Sequence, residues 1–189
     1  MKKLSMLTLA LFSMTAWAQK KTVDFTVERI IAAPAEKVWA VVGENYGDVA
    51  DSHPGLVSSE YVGDLDHGGE GCERVCYLNE DKTKYTQETQ THYNPEEYSF
   101  GVDISHVEKL PLDPTYSKAT YKVEPVDDGS SKLVITMSLR TKPAFMGRLA
   151  KGKFRKNIED YVLAIEHNVL TGETVSKDNF KEIKKKYKS

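Results

Sequence analysis

Arg74 and Glu88 are the two residues of this chain whose types and spacing best suit them to act together. Each falls in a run that alternates like a strand, residues 72–78 and 84–92, joined by the polar turn Asn79-Glu80-Asp81. On neighbouring strands with inward parity they form a buried ion pair that can orient a polar head group or a bridging water. With outward parity both sit on a hydrated face. A buried charge needs such a partner, because one left alone is very costly. The second run is polar on both parities, with Thr86, Glu88, Gln90 and His92 on one and Tyr85, Gln87, Thr89 and Thr91 on the other. Whichever face turns inward, a cavity walled by this strand is partly hydrophilic, which favours an amphipathic ligand over a pure hydrocarbon.

Other chemistry is thinly supported. The histidines at 53, 67, 92, 106 and 167 fall into neither an H-x-x-x-H nor an H-E-x-x-H spacing, so a metal site has no sequence support. Asp64, Asp66 and His67 form an acidic turn without the spacing of a calcium loop. His53, just before Pro54, has a side chain suited to acid/base work or to gating a cavity mouth, and equally suited to capping a turn. Cys72 and Cys76 share one strand face with Cα atoms about 13 Å apart, too far for a disulfide. They read as small half-buried side chains. No G-x-S-x-G, P-loop or dinucleotide fingerprint occurs, so no cofactor is expected.

The elements that must position these residues follow from periodicity. Val23, Phe25, Val27 and Ile31 share one parity of a first strand. Pro34 then opens a short helix, interrupted by Gly43 and Gly47, and a second short helical piece runs over 46–52 to the stop His53-Pro54-Gly55. Strand-like runs follow over 56–63, 72–78, 84–92, 98–104, 116–126 and 132–140, separated by turn signals such as Asn94-Pro95 and Asp127-Asp128-Gly129. The period then changes. Phe154, Ile158, Tyr161 and Ile165, widened by Val162 and Val169, mark one face of a helix of about 20 residues that stops near Gly172. The chain reads as α+β: one curved antiparallel sheet of about seven strands, two short helices after strand one, and a long C-terminal helix on the sheet. A strongly bent sheet cannot fill its own concave face, so the helix covers it and leaves a cavity.

Composition agrees with a single globular domain: 189 residues, 40% hydrophobic and 29% charged, at a formal net charge of −2. That near-neutral balance argues against a nucleic-acid partner. Lys2 and Lys3, the apolar run 4–14 and Ala16-Trp17-Ala18 have the layout of a signal peptide cleaved after Ala18. The run is too short to span a bilayer. The expected organisation is therefore a leader over 1–18, a domain over 19–172 and a Lys-rich tail over 173–189, in a periplasmic or secreted protein. The tail carries Lys181, Lys184, Lys185, Lys186 and Lys188, and reads as a solvated frayed helix or as a weak contact for an anionic surface or partner.

Several segments in this order resemble the START-like, or SRPBCC, superfamily, and within it the polyketide cyclase/dehydrase and lipid-transport branch. They are Ala33-Pro34-Ala35 with Val38-Trp39, the stretch 47–55 ending in His53-Pro54-Gly55, Gly69-Glu70-Gly71-Cys72-Glu73-Arg74, Glu88, and Asn94-Pro95 through Tyr98 and Phe100. The resemblance covers residues 25–169 and implies a helix-grip fold that binds hydrophobic or amphipathic small molecules between sheet and helix. In the related plant abscisic acid receptors, a glutamate matching Glu88 and a tyrosine matching Tyr116 face the ligand. This makes Lys118 a same-face neighbour of Tyr116. The lysine those receptors place in the cavity falls near Ser52 here, so that carboxylate anchor is absent. The expected contacts are thus Glu88, Arg74, Tyr116, Lys118 and His53. The expected function is binding or transport of an amphipathic molecule. The alternatives are a cyclase or dehydratase using His53 or Glu88, or an interaction protein with a collapsed cavity.

Overall fold

The computed structural model describes residues 22–187. The leader expected over 1–18 lies outside the described residues. The first strand, β1 (Val23–Ile31), buries Val23, Phe25, Val27 and Ile31 and turns Asp24, Glu28 and Ile30 to solvent, as its alternation predicts. Pro34 precedes α1 (Ala35–Trp39), whose fixed φ suits a helix start, and the chain continues through a π-helical turn (Ala40–Glu44) and a 3-10 turn (Tyr46–Asp51).

Six further strands follow: β2 (Ser58–Val62), β3 (Glu73–Tyr77), β4 (Tyr85–Asn94), β5 (Ser99–Glu108), β6 (Lys118–Asp127) and β7 (Ser130–Leu139). They join β1 in one seven-stranded antiparallel sheet of order β1-β7-β6-β5-β4-β3-β2. The sheet and helices enclose a core that includes Ile31, Val38, Tyr46, Leu133, Ile135 and Ile165, all fully buried. Each such aliphatic side chain contributes about 1.5–3 kcal/mol. Phe100 of β5 stacks on Tyr121 of β6 at 4.6 Å and meets Trp39 of α1 edge-on, locking the α1 end of the sheet.

The long helix α2 (Met146–Thr171) is longer than expected and ends at Gly172, whose φ of +71° is the left-handed cap that glycine adopts without strain. Phe154, Ile158, Tyr161 and Ile165 do face the interior. The two extra turns at its start were not visible as a stripe, because Phe145, Met146 and Leu149 there are exposed.

Further along α2, every residue from Tyr161 to His167 is buried. One packed face cannot do that. The other side is covered by the chain after Gly172, which corrects the expectation of a solvated tail. Val175 donates its backbone N–H to the Asp51 carbonyl at 2.8 Å, and α3 (Phe180–Lys186) sets Ile183 against Leu163, Ala164 and Val175. His167 is held between the Tyr187 hydroxyl and the Glu173 carboxylate, at 3.1 and 2.9 Å. Lys184 pairs with Asp160 of α2.

Cys72 lies just before β3 rather than within it, and Cys76 within it; both are free and fully buried, more so than expected.

Candidate functional site

Arg74 reaches the interior because of the turn before it. Gly71 has φ +79°, open to glycine, and its N–H donates to the Gln90 carbonyl at 2.8 Å. The Gly69 N–H donates to the Gln90 side chain, which in turn donates to the Gly43 carbonyl. This cross-bracing fixes the register of β3 on β4, in which Arg74 stands directly opposite Glu88. Arg74 then donates from Nε and Nη2 to Glu88 Oε2 at 2.9 and 2.6 Å, and from Nη1 to the Tyr46 carbonyl at 2.8 Å. The Thr86 hydroxyl donates to the other carboxylate oxygen, Glu88 Oε1, at 2.9 Å. Of the two geometries open to the sequence, the inward ion pair is the one present. The guanidinium also lies 3.9 Å from the centre of the Tyr46 ring. Burial opposes the Arg74 charge, while the Tyr46 and Glu88 side chains beside it hold it protonated.

Arg74, Thr86 and Glu88 form the polar patch of a cavity of about 660 Å³ between the sheet and α2. Apolar walls come from β5 (Val102, Ile104), β7 (Met137, Leu139) and α2 (Phe154, Ile158). The volume suits a drug-sized organic molecule. His53 lines it as well, its ring against that of Tyr161 of α2 at 4.4 Å. Burial, followed by the nearby Arg74 charge, lowers the His53 pKa to about 4. The ring is therefore neutral at neutral pH. Its Nδ1 accepts the Gly55 N–H at 3.0 Å, which leaves the proton on Nε2 and makes that atom a donor.

The five expected contact residues divide. Arg74, Glu88, His53 and Lys118 line the cavity, although Lys118 is exposed and stands at its edge. Tyr116 does not line it. The strand expected to begin at Tyr116 begins at Lys118, because Pro114 enters a 3-10 turn (Pro114–Tyr116) that leaves Tyr116 outside, under the Arg140 guanidinium at 4.5 Å. The inward face of β6 is Ala119, Tyr121 and Val123, so Tyr121 is the cavity tyrosine of this strand. The alternation of those three residues against Lys118, Thr120 and Lys122 carried that signal. Tyr161 and Cys76 complete the wall; in the sequence they stand out only as parts of a helix stripe and a strand face. Burial raises all three titrating groups, Cys76 and Tyr121 to about 12 and Tyr161 well above the usual phenol range. They enter the cavity as neutral donors and acceptors. Among the described residues, no group of three His, Cys, Asp or Glu side chains converges to hold a metal ion.

Comparison with known families matches residues 22–166 to the family described as polyketide cyclase/dehydrase and lipid transport. The chain belongs to that family. It therefore falls in the SRPBCC superfamily, and its curved seven-stranded sheet with a long C-terminal helix is the helix-grip fold. A comparison with curated proteins found no match. Among solved structures, a protein from Thermobifida fusca is similar at 21% identity and TM-score 0.62, over 79% of this chain and 93% of that one. A putative uncharacterized protein from Bacillus thuringiensis is similar at 21% identity and TM-score 0.58, over 78% and 99%. Norcoclaurine synthase from Thalictrum flavum, in complex with dopamine and hydroxybenzaldehyde, is similar at 21% identity and TM-score 0.56, over 92% and 99%. At these identities the likeness is one of fold. The family and fold together mark the cavity as a place for a ligand.

Proposed function

We propose that this family member binds and carries an amphipathic small molecule in the cavity between sheet and α2, outside the cytoplasm. The observation that carries the reading is the placement of one buried, internally neutralised polar patch, Arg74-Glu88-Thr86, within otherwise largely apolar walls. The ion pair leaves no net charge at that patch, while Lys84, Lys118 and Lys153 against Asp160 charge other parts of the lining, and the neutral Tyr121, Tyr161 and His53 side chains offer hydrogen bonds. A ligand with a hydroxyl- or carbonyl-bearing end and an apolar body fits those walls. Export rests on the layout of residues 1–18.

The test is native mass spectrometry of the chain purified from its exporting host. An added mass that disappears on denaturation supports carriage, and Glu88→Gln should weaken its retention. A clean apo mass, with no thermal shift from a panel of lipids and polyketides, overturns the reading.

A second reading is an enzyme acting on a polyketide-like substrate, and His53 favours it. A neutral imidazole with Nε2–H in a cavity is placed to donate a hydrogen bond, or a proton, to a substrate oxygen. Turnover of a bound substrate, lost in His53→Gln with binding retained, would establish it. The collapsed-cavity alternative has nothing in its favour at a volume of about 660 Å³.

A further inference from the structure

The start of α2 breaks the rule that a helix turns its apolar residues inward. Phe145 just before it, Met146 and Leu149 are 64%, 42% and 78% exposed, although Leu149 stands only one residue from the cavity-lining Ala150. Phe145 and Leu149 are four residues apart and so share one outer stripe, opposite Phe154 and Ile158. An apolar group exposed in this way marks a contact surface.

Along this stretch of chain the charges are of one sign, although the exposed Asp24, bonded to Thr22 beside Phe145 and Arg148, stands at its margin. Between Asp128 and Glu159 the sequence holds no acidic residue, while residues 140–156 hold seven basic ones. Four of these are spent within the protein. Arg140 and Lys142 approach Asp113, Arg155 approaches Glu159, and Lys156 approaches Asp160. The other three, Arg148, Lys151 and Lys153, are exposed and have no carboxylate partner among the described residues. At 100° per residue, Lys153 flanks the Phe145–Leu149 stripe on one side and Arg148 on the other. Lys153, with Ala150 and Phe154, also lines the cavity. The stripe and the cavity edge are therefore adjoining flanks of the same turns.

We propose that this face, Phe145, Met146 and Leu149 flanked by Arg148 and Lys153, with the exposed Lys151 beyond Arg148 around the helix, docks on an anionic lipid bilayer and brings the edge of the cavity to the membrane surface. Apolar side chains framed by cations enter the headgroup boundary, and each basic residue near an anionic surface adds about fivefold in affinity. A second copy of the chain fits the face poorly, since a symmetric contact would set its cations against themselves. The inference rests on where the cavity lies and not on what fills it.

The test is cosedimentation of the chain, purified from its exporting host, with vesicles of phosphatidylcholine alone and with one-third phosphatidylglycerol, at low and high salt. The chain should bind the anionic vesicles, release from them at high salt and ignore the neutral ones. Phe145→Asp/Leu149→Asp and, separately, Arg148→Glu/Lys151→Glu should each weaken binding by at least about tenfold, judged against the three unpaired cations at about fivefold each. Both pairs are exposed, so melting temperature and any mass retained in the cavity should stay as in the parent chain. A Leu149→Asp single variant serves if the double variant melts early. Failure of the parent chain to bind anionic vesicles overturns the proposal, as does unchanged binding by both double variants. So does a dimer that the Phe145→Asp/Leu149→Asp pair dissociates, which would assign the face to a second copy. None of these outcomes touches ligand retention, so the carriage reading stands or falls separately.

Discussion

Replacing Glu88 by Gln tests whether the cavity patch is an ion pair or merely a hydrogen-bonded cluster. Gln keeps the shape of the side chain. If its carbonyl faces Arg74, its amide can donate to the Thr86 hydroxyl, so the hydrogen bonds of the site can be rebuilt. The charge cannot. Arg74 is 6% exposed at its side chain and never loses its proton, so it is left as a buried cation met by neutral carbonyls and the Tyr46 ring but by no carboxylate. Breaking a buried pair costs about 3–5 kcal/mol. Glu88 is 16% exposed and the cavity opens to solvent, which reduces the expectation to about 2–3 kcal/mol. Urea unfolding followed by circular dichroism reads this as a lower midpoint at unchanged slope. In a domain of this size the melting temperature should fall by about 5–10 °C. Arg74→Met with Glu88→Gln should cost less than the two single changes added together, by about 1–3 kcal/mol, because no charge is then stranded. A Glu88→Gln variant within about 0.5 kcal/mol of the parent, with additive effects in the cycle, would refute the reasoning.

Three other expectations follow from the same interior. The His53 pKa of about 4 lies below its unfolded value of about 6.5, so the unfolded chain takes up the proton first. The stability this group contributes is complete above pH 6.5 and is lost as pH falls toward 4, by at most about 3 kcal/mol; the parent chain should lose that much more than His53→Gln between pH 7 and 4 in urea melts, and equal losses would count against a buried neutral ring. Cys76 at about 12, with Cys72 raised by its own burial, should leave both thiols unreactive toward a disulfide reagent at pH 8 until the protein is denatured; rapid native labelling would contradict the packing. Ile183→Ala should destabilise the fold by about 2–4 kcal/mol, whereas Lys181→Ala on the exposed side of α3 should be neutral, and a neutral Ile183→Ala would mean that the tail is not docked.

The sequence states most clearly what repeats. Val23, Phe25 and Val27, or Leu133, Ile135 and Leu139, bury one face of a strand and expose the other, so their alternation survives as a period of two. Arg74 and Glu88 are legible as a candidate pair, but the run 84–92 is polar on both parities, so alternation leaves their facing open and only the register of β3 on β4 turns them inward. Likeness alone misplaces Tyr116, because a proline in the turn before it moves the start of the strand to Lys118. The alternation of Ala119, Tyr121 and Val123 just beyond held the correct phase. The tail is a subtler case. Phe180, Ile183 and Tyr187 recur at spacings of three and four, a helical stripe three residues long, and the surrounding lysines mask it in any average over the segment.

The cavity leaves no periodic signal, because a void is defined by what its walls fail to fill. Where β4 and β6 face α2, the inward positions include Thr86, Glu88, Ala119 and Tyr121, facing Ala150. Ala119 is small, and the other three end in polar groups that cannot close on an apolar partner. The aromatic end of the same sheet shows the contrast. There Trp39, Phe100 and Tyr121 are in successive ring contact and all are buried. Tyr121 belongs to both regions, its ring stacked on Phe100 and its burial raising the hydroxyl pKa to about 12, so the wall of the cavity and the core share one rigid side chain. A fold of this kind keeps its cavity open at modest cost because the polar groups in it already satisfy one another. Arg74 answers Glu88 and Thr86 answers the second oxygen, so removing any one of them should close or destabilise the space rather than simply subtract a contact.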